Sequence, residues 1–251
     1  MRQPPARELR AVVFDLDNTL LRSSIGARQG LLAAARLISA ELKKKGHSYG
    51  QRDLFKRLRL IDHEMLRRKY LYNRDVWWRT LLGELGLSTR FPWIHRVTLR
   101  YWDAYAANSP PFHDAESTLL KVKKMGLKIG LVSDSDGTPG MKRKRIRGVP
   151  LRNLFQAVVV AGEDTPRVKP GHESFRLIAE RLQVRPESCI YVADNPRTDI
   201  AGARAVGMTT VLVRRRGNNF GNPDYRIPHL RALPRLVTSL RLESSRTSEL
   251  I

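Results

Sequence analysis

Cysteine is all but missing from this chain of 251 residues, and the one present, Cys189, sits inside an apolar, strand-like run. No internal disulfide can form, so a packed core must hold the fold. A lone thiol in such a run reads as a small buried hydrophobe and fits a reducing cytoplasm. No apolar stretch approaches the roughly 20 residues needed to span a bilayer. The opening Met1-Arg2-Gln3-Pro4-Pro5 also lacks the apolar core of a signal peptide. We therefore expect a cytoplasmic protein with no membrane partner. Acids are scarce: 24 Asp and Glu stand against 46 Lys and Arg, a net charge of +22. That imbalance favours polyanions, whether nucleic acid, an acidic membrane surface or a phosphorylated substrate. The cations are dispersed in short runs, Lys43-Lys44-Lys45, Arg67-Arg68-Lys69, Lys142-Arg143-Lys144-Arg145 and Arg214-Arg215-Arg216. Neither zinc-ligand spacing nor an aromatic RNA-binding signature accompanies them, so nucleic acid is a secondary reading behind a generally basic surface. No internal repeat is visible.

What is present is ordinary for a globular protein: 41% hydrophobic residues, 14 prolines and 17 glycines. The length allows one large or two modest domains. Five short, β-branched apolar runs, at 11–14, 128–132, 157–161, 188–192 and 209–213, read as strands. Helical patterns at 115–125, 138–147, 172–182 and 198–206 alternate with them, with Gly126, Gly162, Gly171 and Gly207 at the junctions. Strands alternating with helices predict an α/β fold, a doubly wound parallel sheet, with ligands bound beyond the carboxyl ends of the strands. The interval from about 22 to 107 carries no strand signal. It reads as helices at 31–42, 51–70, 76–85 and 93–106, broken at Gly46, Asn73 and Gly86-Leu87-Ser88. So long an insertion exceeds a loop. It predicts an inserted α-helical cap domain, 22–107, between core segments 1–21 and 108–251. Trp77, Trp78, Trp93 and Trp102 all fall in it and read as its core. The ends, 1–8 and 243–251, read as frayed.

The chemistry gathers at the strand ends. The first run closes on Asp15-Leu16-Asp17-Asn18-Thr19. If the strand stays extended, Asp15 and Asp17 share a face, and two crowded acids need a cation or a shared proton to relieve them. A divalent ion does this with oxygen ligands alone. The second run delivers Ser133-Asp134, a third segment places Lys169-Pro170 at the entry to a helix, and the fourth run ends in Asp194-Asn195, with Asp199 beyond. Acids, a hydroxyl and a cation form an inventory for holding magnesium and a phosphoryl group.

As a set, DxDxT at 15–19, Ser133, Lys169-Pro170 and Asp194-Asn195-Pro196-Arg197-Thr198-Asp199 resemble the haloacid dehalogenase superfamily of phosphotransferases. The likeness covers about two thirds of the chain and is similar to the subfamily whose helical cap lies between motifs one and two. It implies a Rossmann-like core, a Mg²⁺ cofactor and hydrolysis of a small phosphorylated metabolite. By position it implies Asp15 as nucleophile and Asp17 as general acid and base. Asp15, the Asp17 backbone carbonyl and Asp194 become metal ligands, with Asp199 outside or water-bridged. Ser133, Asp134, Lys169 and Asn195 become the phosphate contacts, with Lys169 neutralising charge between the two anions. Dehalogenases proper lack an acid at the position of Asp17, because a halide leaves unprotonated, so phosphoryl transfer is the reading here. A sugar-phosphate mutase shares every motif, a phosphonate-cleaving relative needs a cap lysine, and a basic nucleic-acid-binding module could reuse the scaffold. The chain departs from the pattern at Ala193, where glycine is common, and at Gly171-His172, where an acid commonly follows Lys-Pro. Asp134-Ser135-Asp136-Gly137 adds acids read as loop and helix-capping residues.

Overall fold

The structure, a computed structural model, describes residues 8–67, 72–215 and 221–248. The chain divides into two compact units, one of Met1–Leu21, Pro111–Asp134 and Val149–Ile251, the other of Arg22–Pro110 and Ser135–Gly148.

The first unit is built on a six-stranded sheet. Its strands are β1 (Ala11–Phe14), β2 (Lys128–Asp134), β3 (Ala157–Ala161), β4 (Cys189–Ala193), β5 (Thr209–Val213) and β6 (Tyr225–Ile227). Their order is β3-β2-β1-β4-β5-β6, with every neighbouring pair parallel. From β1 the chain builds outward on one side, then returns to build β4 and β5 on the other. The switch point therefore lies between β1 and β4, where Phe14 pairs with Val192, and side chains at their carboxyl ends meet there. Both strands are buried throughout, as apolar β-branched runs covered on both faces must be. Helix α7 (Glu173–Arg181) turns Phe175, Ile178 and Ala179 into a core with Val13, Val132, Val159 and Tyr191.

The sequence pattern anticipates β1, β3 and β5 to the residue and sets β4 one residue early, at 188–192, while β2 and β6 differ more. β2 continues through Ser133 and Asp134, because pairing with Val160 and Ala161 satisfies their backbone despite polar side chains. β6 escapes the pattern because three residues are too few to show a period; its pairing with Val211–Val213 of β5 creates it. At the far end, α8 (Leu233–Ser248) runs through a stretch expected to fray. Residues 1–7 and 249–251 of the expected frayed ends, and Arg68, Lys69 and Arg216 of the basic runs, lie outside the described residues.

The second unit is helical: α1 (Ser23–Lys43), α2 (Gln51–Arg67), α3 (Arg74–Glu84), α4 (Ile94–Ala107) and α6 (Met141–Arg147), with α5 (Ala115–Lys124) belonging to the sheet unit. Residues 68–70 of the helix expected at 51–70 lie outside the described residues. All four tryptophans are buried, packed with Ile38, Leu58, Tyr101 and Met141. Segment Ser135–Gly148, expected with the sheet, groups with these helices. Its basic run explains part of this: Lys142 and Arg145 turn inward onto buried Asp136 at 2.9 and 2.8 Å, and Arg145 stacks 4.1 Å from the Tyr105 ring centre.

Helix α1 starts at Ser23, well before the apolar periodicity at 31, because its first turns are small rather than apolar. Gly26 and Gly30 let α4 approach so closely that a Cβ at position 30 would lie 2.8 Å from the Tyr101 ring and 2.9 Å from its carbonyl oxygen. Alanine would favour the helix by about 1 kcal/mol, but overpacking against a buried ring and a backbone atom costs about 1–3 kcal/mol. Gly30→Ala is thus expected to lower the melting temperature by several degrees in thermal denaturation; an unchanged or higher value would show that α4 yields freely.

Candidate active site

Strand β1 carries Asp15 to the switch point, and its amide still donates to the Val192 carbonyl at 3.1 Å. The chain then turns at once. The amides of Leu20 and Leu21 both donate to the Leu16 carbonyl at 3.0 Å, and that of Asn18 donates to Leu21 at 2.8 Å. Asn18 sits at φ 63°, left-handed backbone that asparagine tolerates better than most residues. Because β1 ends at Phe14, the extended spacing that would put Asp15 and Asp17 on one face stops short of Asp17, which lies in this turn and bridges to Leu21.

The turn brings Thr19 beneath the strand ends. Its hydroxyl lies 2.9 Å from Asp15 Oδ2 and 3.4 Å from Asp194 Oδ1, and it accepts from the Asp194 amide at 3.0 Å. A hydroxyl has one hydrogen, so the shorter contact to Asp15 takes it. Thr19 therefore ties the ends of β1 and β4 together.

Lys169 enters just ahead of α7 with its ammonium buried. It donates to Asp15 Oδ1 at 2.7 Å and to Asp199 Oδ1 at 2.6 Å. Asp199 follows β4 on a wide turn, Pro196–Ile200, and is filled by donors: Lys169 and the Tyr191 hydroxyl (2.8 Å) on one oxygen, Thr198 (2.9 Å) on the other. Tyr191 escaped the sequence reading because it sits inside an apolar strand run. The signal was its hydroxyl, which a fully buried tyrosine must pair. Asp134 accepts from the Lys169 amide at 2.9 Å, fixing that segment. Asn195 accepts from the Arg197 amide at 3.0 Å, capping the turn. Ser133 is buried at the end of β2, paired in register with Val160.

The electrostatics follow from burial. Desolvation, helped by the charges of Asp199 and Asp194 and opposed by Lys169, pushes the Asp15 carboxyl up to about 8. Burial works against the charge on Lys169, but Asp15 and Asp199 outweigh it and hold the ammonium protonated well above the usual range. Cys189, buried, is pushed up to about 12 and makes an unreactive thiol.

Among the described residues no three His, Cys, Asp or Glu side chains cluster as a metal site. The donors at the switch point suit magnesium nonetheless. Asp15 and Asp194 bracket one hydroxyl, and Mg²⁺ takes one or two carboxylates and completes its shell with water and other oxygens. A carboxyl pushed up to about 8 is also one that a nearby cation would restore to its charged form. A shallow groove of about 670 Å³, lined by Arg176, Glu180, Arg185 and Glu187 among others, lies before the starts of β4 and β5, away from this chemistry.

Comparison with known proteins agrees with this geometry. Residues 9–207 match the haloacid dehalogenase-like hydrolases. The chain is 29% identical over 240 residues to a glyceraldehyde 3-phosphate phosphatase of Methanopyrus kandleri, covering 92% of this chain and 98% of that one. It is 32% identical over 125 residues to a phosphoserine phosphatase of Thermus thermophilus, covering 49% of each. A solved phosphatase of the same family from Thermococcus onnurineus aligns with a TM-score of 0.67 at 26% identity, covering 91% of this chain and 98% of that one. With the motifs in order on a parallel sheet and these relatives beside them, the chain belongs to the haloacid dehalogenase-like hydrolases, as a phosphatase.

Proposed function

We propose that the protein hydrolyses a small phosphomonoester, with Mg²⁺, through an aspartyl-phosphate on Asp15. The observation that supports this best is the Lys169 ammonium joining Asp15 to Asp199 while Thr19 joins Asp15 to Asp194. In this reading Asp15, Asp194 and the Asp17 carbonyl hold Mg²⁺, which would neutralise phosphoryl charge and keep Asp15 ionised. An Asp15 oxygen attacks phosphorus; the ester P–O bond breaks and the leaving alcohol takes a proton from Asp17. Asp17, now charged, accepts a proton from a water that attacks the same phosphorus, releasing inorganic phosphate and free Asp15. Lys169 offsets the repulsion of two approaching anions, and Ser133 donates to a phosphoryl oxygen. Asp134 and Asn195 act on the phosphate through the backbone segments they fix. The helical unit serves as the substrate-selecting cap, and the enzyme works in the cytoplasm.

The named substrates of the relatives make sugar phosphates, triose phosphates and phosphoserine the first compounds to assay. Phosphate release from a panel of such esters with Mg²⁺ is the test. Asp17→Asn should slow turnover about 10²–10³-fold, most for esters with poor leaving groups. Turnover of no ester, or an Asp17→Asn rate equal to wild type, would refute the assignment.

A further inference from the structure

The last of the basic runs also sends an arginine inward, in the sheet unit. Arg215, two residues past the end of β5, has a side chain only 7% exposed. Its Nη2 donates to Asp114 Oδ1 at 2.7 Å, and its guanidinium carbon lies 3.7 Å from the centre of the Phe112 ring. Asp114 is itself fixed, because its other oxygen accepts from the Leu230 amide at 2.8 Å. Held on a ring and a carboxylate, the guanidinium turns its Nε toward the Thr19 carbonyl, 3.4 Å away. In the turn after β1, the carbonyls of Leu16, Leu20 and Leu21 accept from backbone amides, whereas that of Thr19 takes this side chain.

Thr19 is the residue whose hydroxyl touches Asp15 and Asp194. The geometry points to Arg215 as a positioning residue for the phosphatase reaction: braced by Asp114 and Phe112, it grips the Thr19 carbonyl and so sets the separation of the two carboxylates. This rests on the reading that Asp15 and Asp194 are the nucleophile and the metal ligands. A planar guanidinium can pair with a carboxylate through one edge and reach a carbonyl through another; an ammonium, a single point charge, cannot serve both in that geometry.

The test compares Arg215→Lys, Arg215→Met and the double variant Asp114→Asn/Arg215→Met with wild type and Asp15→Asn. In Arg215→Lys the Asp114 charge keeps a partner, so the melting temperature should hold. Its kcat should still fall about tenfold, with KM for the ester little changed and the rise in melting temperature on adding Mg²⁺ reduced. Arg215→Met should lose kcat and also stability, since it strands a buried carboxylate. The double variant should recover the stability without the kcat. If kcat returns with stability in the double variant, or if Arg215→Lys matches wild type in both kcat and Mg²⁺ response, Arg215 is merely structural and the proposal falls. Asp15→Asn separates the two failures: turnover retained there removes the site reading itself.

Discussion

Asp15→Asn is expected to abolish phosphate release, by about 10⁴-fold or more, while leaving a folded, cooperatively melting protein. The substitution keeps the shape of the side chain and an oxygen for the Thr19 hydroxyl, but removes the oxyanion that, in the proposed mechanism, attacks phosphorus. Folding should survive because Lys169 retains Asp199 at 2.6 Å as a charged partner, so no buried ammonium is stranded. The same variant should fail to incorporate label when a phosphate-labelled ester is quenched in acid, whereas wild type should carry acid-stable label on the peptide containing Asp15. Circular dichroism and thermal melting check the fold, and phosphate release checks the rate. Turnover within about tenfold of wild type would place the nucleophile elsewhere.

How far the sequence foretold this site depends on what kind of contact is asked about. Asp15, Asp194 and Lys169 stand at the ends of apolar runs or at a helix entry, and parallel α/β connectivity brings such ends to one edge. Their meeting follows from topology. The contacts of Thr19 and Tyr191 do not, because each depends on a side chain reaching across the β1–β4 seam, and strand patterning says which residues are buried, not which polar atoms meet. The basic runs show the same limit. Lys142, Arg145 and Arg215 look like surface charge in sequence, yet each is buried on an aspartate, the first two on Asp136 in the loop after β2 and the third on Asp114, distant in the chain. Formal charge counts those cations as solvated; the fold has paired them. The early start of α1 was hidden for a different reason. Close helix packing through Gly26 and Gly30 uses small residues, which carry no hydrophobic period.

Removing Mg²⁺ should silence the enzyme, and the pH dependence of stability offers a check that needs no substrate. Asp15 is pushed from 3.8 to about 8, by burial first and then by its acidic neighbours. A group whose pKa is higher folded than unfolded binds more protons in the folded state. Its contribution to stability is therefore full in acid below about 4 and is lost as pH rises through about 8. Metal-free protein should accordingly melt at progressively lower temperature from about pH 5 to about pH 9. If Mg²⁺ binds the ionised carboxylate as proposed, it competes with that proton: the metal should raise the melting temperature little at the acid end and most at the alkaline end, with proton release on binding. A chelator should stop phosphate release, and excess Mg²⁺ should restore it. Asp15→Asn supplies the control, since an amide neither titrates nor offers the charge, and both the pH slope and the Mg²⁺ shift should shrink in it. A melting temperature indifferent to Mg²⁺ across this range, with activity equally indifferent to the chelator, would mean that Asp15 and Asp194 do not share a cation, and that the buried charge is balanced by Lys169 alone.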